Sequence, residues 1–378
     1  MTDARETNER RLRRLQQMRK TGSVAKASEA LGEIWEAGKK PDPIVLRSAF
    51  LHAEGERSRL TKLVLPRGIA LRLYLLAVFE AQCRLDAGDI WQSDRPLKGT
   101  NSWSTLVAID GAYDTAAGAY DAALKHMPPE LRGSARAEER WRTRRLEELK
   151  LRQVKGALKT LEELGKEDAL VSIPRSARGH RSYEDFLLME EGGRGDMPAP
   201  DLYTVSTRSW TGTRTITLPA DFFLKGWIQV LNPSEVATWL ILRRMSQWAP
   251  RKHMLSGVFL TARPRMQAFG LRDDAWEDGC RRLLEFGLIR YAEPPEGPEA
   301  AVESIGDPVA KALFSQPYHV RQAYEPHYWQ LTDDGLAEDA VQKLDRELTH
   351  RRVALADATT RRMQLDPERL ADHAMPEE

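Results

Sequence analysis

Cysteine is almost absent. Cys83 and Cys280 are the only two in 378 residues, each inside an apolar helical pattern. Such scarcity excludes a disulfide scaffold, fits a reducing cytoplasm, and makes both thiols small core residues. There is no C-x-x-C pair for a zinc ribbon, no G-x-x-x-x-G-K-[ST] phosphate loop and no His-x-His pair. His319 and His327 flank Tyr324 and Pro326 at a spacing that no regular metal site uses. No apolar run approaches the ~18 residues of a membrane span, and the Arg-rich beginning has no apolar stretch behind it, so neither a membrane helix nor a signal peptide is expected.

Carboxylate pairs of the kind that hold two catalytic metal ions are also missing. Asp273-Asp274 and Asp333-Asp334 fall at expected helix starts, where carboxylates stabilise the free N–H groups. The expectation is therefore a non-enzyme, with no catalytic residue, no metal and no cofactor.

Net charge is equally uninformative, because 57 Lys and Arg face 56 Asp and Glu. The distribution is not even. Residues 1–26 carry eight Lys/Arg against three acids, residues 132–182 fourteen against eight, and residues 236–272 seven against none. The compensating acids lie at 285–310 and beyond Asp333, which predicts a basic face with an acidic periphery.

Periodicity supplies the organisation. Leu12, Leu15 and Met18 give a narrow stripe on a basic helical arm from 5 to 20, free either to meet DNA or to stay in water. A helix follows over 24–38, then a short helical stretch from Ile44 to His52. Ala70, Leu71, Tyr74, Leu75 and Val78 mark a strongly apolar helix over 69–84. Residues 111–125 read as helical, Ser134–Leu149 as a charged helix, and a turn near Lys150 opens another from Leu151 to Leu164. Strands are expected at Ala169–Ile173 and Tyr183–Met189. The Gly- and Pro-rich run 191–201 is the clearest linker signal, and the linker is expected to span 191–212.

Beyond that run the pattern repeats. A strand at Thr213–Leu218 leads to a helix capped at Asn232-Pro233-Ser234, a strand at Gly257–Leu260, a helix from Thr261, and a helix from Asp274 to Phe286. Strands at Leu288–Ala292 and His327–Leu331 flank a long acidic excursion. Leu336, Val341, Leu344, Leu348 and Val353 then mark a solvent-exposed or partner-seeking helix with an acidic tail.

Both copies thus hold a helix that ends alike, at Leu161-Glu162-Glu163-Leu164-Gly165 and at Leu283-Leu284-Glu285-Phe286-Gly287, followed by a strand-and-loop wing. The expected fold is mainly α with small β wings (α+β): a helical basic region at 1–60, winged helices at 61–190 and 213–332, and a C-terminal helix and tail at 333–378. In the first unit Arg152, Gln153, Lys155 and Lys159 lie outside the apolar helix face and would enter a major groove. Arg175, Arg178 and Arg181 of the wing would follow phosphates or the minor groove.

The arrangement over about 270 residues resembles the initiators of theta-type plasmid replication, in which tandem winged helices bind repeated origin sequences. That resemblance implies sequence-specific binding of double-stranded DNA, with host replication proteins and a second copy of the chain as further partners. One departure is visible: Asp273, Asp274, Glu277 and Asp278 crowd the start of the second recognition helix, where they would face phosphates. Contact there would fall to Arg263, Arg265, Gln267 and Arg272, with Arg281 and Arg282 reaching the backbone. A transcriptional regulator of the same architecture and a protein-interaction module are the alternative readings.

Overall fold

The computed structural model describes residues 2–52, 57–64, 69–86, 89–109, 127–165, 167–192, 201–205, 215–292 and 328–365. They are mostly helical, with a few short antiparallel strands, an α+β arrangement. The expected helix at 111–125, the acidic excursion with His319 and His327, and the acidic tail lie outside the described residues.

The chain opens with α1 (Thr2–Thr21) and α2 (Ser23–Ala37), joined through Gly22 at φ 64°, a left-handed conformation that glycine adopts without strain. Leu12, Leu15 and Met18 are all buried, so α1 is not a free arm. Its Asn8 Nδ2 donates to the Leu348 carbonyl at 3.2 Å, and Arg11 is buried against Glu235. The stripe needs an apolar partner, and the C-terminal helix provides it.

The expected helical stretch at Ile44–His52 is instead a strand, β1 (Ile44–Arg47), followed by a 3-10 turn at Ser48–Phe50. Ile44 and Val45 suit a pleated backbone, and all four strand residues are buried. After α3 (Arg59–Val64) comes α4 (Ala70–Arg84), in which every residue but Arg84 is buried, as befits a central helix.

An extended stretch at 90–93 leads to α5 (Trp103–Leu106), capped by Ser102, and then to α6 (Ala135–Glu162). The turn expected near Lys150 does not occur. Neither Gly nor Pro interrupts Ala135–Val154, so α6 continues for 28 residues, about 42 Å at 1.5 Å per residue. β2 (Val171–Ser172) pairs antiparallel with β3 (Leu187–Leu188), and Gln92 bridges Leu187 on the other edge.

The second half begins with β4 (Thr215–Leu218), which pairs antiparallel with β1 in the register Ile44↔Leu218 to Arg47↔Thr215. Short α7 (Asp221–Leu224) and α8 (Trp227–Val230) precede α9 (Pro233–Trp248), which starts with an Asn232/Glu235 capping box. Then follow α10 (Pro250–Ser256), α11 (Ala262–Phe269), α12 (Asp273–Glu285), β5 (Ile289–Tyr291) and β6 (Trp329–Leu331). β5 pairs antiparallel with β6, and Val258 exchanges backbone bonds of 2.8 and 2.7 Å with Trp329. Helix α12 packs on α9 at Gly279, where a Cβ would stand only 2.8 Å from Thr238 Cβ. Two helices followed by an antiparallel strand pair therefore occur twice, α5 and α6 with β2–β3 and α11 and α12 with β5–β6, although α10 stands between α9 and Val258 with no counterpart among the described residues of the first series.

The last helix, α13 (Ala340–Leu365), buries Leu344 and Leu348 against α1 and α8 while Val353 remains 53% exposed. Its apolar stripe is thus used within the chain.

Several contacts join the two halves. Besides the β1–β4 pair, Ser58 Oγ and Thr61 Oγ1 donate to the Phe269 carbonyl at 3.0 and 3.1 Å. Of the expected linker at 191–212, residues 193–200 and 206–212 lie outside the described residues. Its ends are held: buried Glu191 accepts from Arg47 Nη1 at 2.6 Å, and Leu202 and Thr204 bridge Met189 and Ile90.

Candidate nucleic-acid interface

The C-terminal half of α6 has two distinct faces, because its apolar residues recur at three- and four-residue steps. Val154, Ala157, Leu158 and Leu161 are buried, whereas Arg152 and Lys159 on the opposite side are exposed. Gln153 and Lys155 are half-buried at the edges. Lys155 Nζ lies 5.2 Å from the ring centroid of Tyr183, a cation–π contact between this helix and the base of the β2–β3 loop. Lys159 Nζ stands 3.9 Å from Glu163, and both side chains are about half exposed, so water screens the pair.

The loop itself is ordered by its backbone. Ser176 N donates to His180 O at 2.9 Å and Gly179 N to Ser176 O at 2.8 Å, with Gly179 at φ 80°. Arg175 and Arg178 are exposed along it. At its base Phe186 sits between Trp91 and Trp103, with ring centroids 5.3 and 5.4 Å away.

Arg181 is placed differently from the other two loop arginines. Its Nη2 lies 2.9 Å from Glu162 and 3.1 Å from Glu163, at the end of α6. Desolvation opposes its charge, yet the field of Glu162 and the hydrogen bond to Glu163 hold the guanidinium above its usual range. Glu162 also accepts from Ile173 N at 3.2 Å, so one carboxylate serves both ends of the loop.

Because α6 is continuous, its N-terminal half carries further cations that the expected turn had separated from this surface. Arg136, Arg140, Arg142 and Arg144 are exposed there. The whole helix has nine Lys/Arg against five acids.

In the second unit the expected residues divide. Arg263, Gln267 and Arg272 are exposed, but Arg265 is 4% exposed and cannot reach a groove. It pairs with Asp273, donates to the Leu271 carbonyl at 3.1 Å and lies 5.5 Å from the Trp276 ring centroid, so its place as a DNA contact is corrected to a structural one. Arg282 is likewise buried against Glu285 at 2.8 Å, and burial lowers its pKa to about 10. Asp274, Glu277 and Asp278 make the outer face of α12 acidic, with Arg281 paired to Asp278.

Elsewhere an open cleft of about 870 Å³ lies between the ends of α2 and α4 and the 94–101 loop. Its charged groups satisfy one another: Arg84 binds Asp94 through two 2.6 Å bonds, and Arg95 binds buried Glu80 at 2.9 Å. Among the described residues no group of three or more His, Cys, Asp or Glu is placed to hold a metal ion, and no helix is long and apolar enough to cross a membrane. No family model matches the chain, and neither the curated proteins nor the solved structures give a match.

Proposed function

We propose that this chain is a sequence-specific double-stranded-DNA-binding protein built from two tandem winged helices, acting as an initiator at plasmid or mobile-element origins. One arrangement carries the reading: Arg152 and Lys159 stand exposed on α6, and Arg175 and Arg178 are exposed on the loop that is tied to the end of that helix through Glu162 and Glu163. A helix is narrow enough to enter the major groove, and a basic loop at its flank then lies over the neighbouring phosphates. The second occurrence of two helices followed by an antiparallel strand pair, α11 and α12 with β5–β6, supports the same reading for the second unit through the exposed Arg263, Gln267 and Arg272. Host replication proteins and a second copy of the chain are the further partners proposed with this role.

The test is selection of duplexes from a randomised pool, followed by affinity measurement over a salt series. The two phosphate contacts of Arg175 and Arg178 alone predict a log–log salt slope of roughly −2. Failure to enrich any sequence, or an affinity that salt does not change, refutes the proposal. Origin-dependent replication in a host then separates an initiator from a transcriptional regulator.

A second reading is favoured at one place. The acidic outer face of α12 suits a basic protein surface better than a phosphate backbone, so the second unit serves as a protein-docking module if its Arg263 and Arg272 variants bind DNA normally.

A further inference from the structure

Arg181 shares the loop of the first unit with Arg175 and Arg178, and composition treats the three alike. Their surroundings do not. Arg175 and Arg178 are exposed, whereas Arg181 is half-buried, with its Nη2 within 2.9 and 3.1 Å of two consecutive carboxylates at the end of α6. Its Nε is buried without a hydrogen-bond partner. An arginine that already neutralises two acids adds little attraction for phosphate.

The contacts around it tie the loop to the helix at both ends. On the incoming side Ile173 N donates to Glu162, and on the outgoing side Arg181 meets Glu162 and Glu163. Between them Arg175 bridges Arg181 and Ser182 N donates to Pro174 O at 2.8 Å, closing the loop at its neck. Two residues further on, Tyr183 receives Lys155 of α6 on its ring. The neck of the loop and the exposed face of α6 are therefore joined through a few short polar contacts.

We propose that Arg181 is a positioning residue for DNA recognition: held by Glu162 and Glu163, it fixes the angle between the loop that carries Arg175 and Arg178 and the helix face that carries Arg152 and Lys159. The inference rests on the DNA-binding reading given above. It assigns phosphate contact to Arg175 and Arg178 only. It also gives Glu162 and Glu163, two acids beside a DNA surface, a positive part in binding.

The opposing model, in which Arg181 touches phosphate, predicts the opposite sign for the acids. Removing two carboxylates next to a phosphate ligand frees the arginine and raises affinity. If the acids instead hold the arginine in place, E162Q/E163Q lowers affinity for the selected duplex even though two negative charges have been removed.

The experiment uses the full-length chain and its selected duplex, with affinity measured over a salt series for the unaltered protein, R178A, R181A and E162Q/E163Q. R178A reduces the magnitude of the salt slope by about 1, the loss of one phosphate contact. R181A and E162Q/E163Q leave the slope unchanged and reduce preference for the selected sequence by at least ~5-fold, the lower end of one base-edge contact. Amide exchange in residues 173–186 of the DNA-free protein rises in both variants and not in R178A, which gives a readout independent of DNA. A slope that drops in R181A as it does in R178A, or a gain of affinity in E162Q/E163Q, overturns the proposal. If the unaltered chain binds no duplex at any salt, the DNA-binding reading fails first and carries this inference with it.

Discussion

Arg11 of the first helix forms a buried, two-pronged ion pair with Glu235, whose carboxylate at the same time caps α9. Arg11 Nη2 donates to Glu235 Oε2 at 2.7 Å, and that oxygen also accepts from Asn232 N at 2.8 Å. The guanidinium lies 4.8 Å from the Phe286 ring centroid, so a single side chain touches the start of α9 and the end of α12. Residues more than 220 positions apart in sequence are joined at one carboxylate.

The two partners are unequal, which gives a prediction. Glu235→Ala leaves Arg11 buried near Arg282 and Arg351, whose charges are felt at the same place, and also removes a helix cap. Breaking a buried pair from one side costs about 3–5 kcal/mol. Arg11→Ala leaves Glu235 still bonded to Asn232 N and should cost less. Denaturant titration of the two variants checks the order, and equal losses would show that the cap and the neighbouring arginines contribute nothing.

The joined halves give a second prediction. If a protease site is placed within 193–200 and cleaved, the products should stay together under native conditions. The β1–β4 pair, the α1–α13 packing, the Arg11–Glu235 pair and the bonds from Ser58 and Thr61 to Phe269 all cross the cut. Sedimentation after cleavage should give a particle of the original mass. Separation into two species would mean that these contacts are weaker than their burial implies.

How much of this was legible in the sequence depended on whether a residue's partner was near or far along the chain. The apolar period of α4, the cap of α9 and the paired helix endings are local patterns, and each was visible as such. The stripe of Leu12, Leu15 and Met18 was visible too, but its partner on α13 was not, because nothing in a sequence says which of two amphipathic helices covers the other. β1 departs from the expected helix for the same reason: a short apolar run, Ile44-Val45-Leu46, fits helix or strand until a distant edge is known. At the candidate surface, exposure of Arg152 and Lys159 followed from helical spacing. Burial of Arg265 did not, since Asp273 and Trp276 approach it only once α11 and α12 have packed. Tyr183, Glu162 and Glu163 were missed as parts of that surface because their roles lie in contacts between the loop and the helix.

A pH dependence follows from His253. Its Nε2 accepts from Leu331 N at 2.8 Å, which requires that nitrogen to be unprotonated. Burial lowers its pKa; Asp333 opposes the shift, and Arg243 and Arg290 reinforce it. The unfolded chain therefore takes up the proton first. Stability is full above the unfolded value near 6.5 and falls as pH drops through that value toward the lower folded one, by at most about 1.4 kcal/mol per pH unit for this one group. Denaturant midpoints from pH 8 to pH 5 should fall more steeply for the unaltered protein than for His253→Asn. Parallel curves would exclude His253 as the source.

Arg152 and Arg265 provide the last contrast, because both were expected at a DNA surface and only one is exposed. Arg152→Ala removes a solvated side chain from the outer face of α6, so the melting temperature should hardly change. Under the proposed function it should weaken discrimination for the selected duplex by roughly 1–3 kcal/mol. Arg265→Ala leaves the Leu271 carbonyl without its donor and removes the packing against Trp276, while exposed Asp273 turns to water. A loss of about 1–3 kcal/mol of stability is expected from the unmet carbonyl and the lost packing. Its salt slope for DNA should match that of the unaltered chain, since a side chain 4% exposed displaces no counterion. If Arg265→Ala lowered the salt slope while melting normally, the side chain would have to leave its contacts with Asp273 and Trp276 on binding, and α11 would have to be redrawn as a mobile reading element.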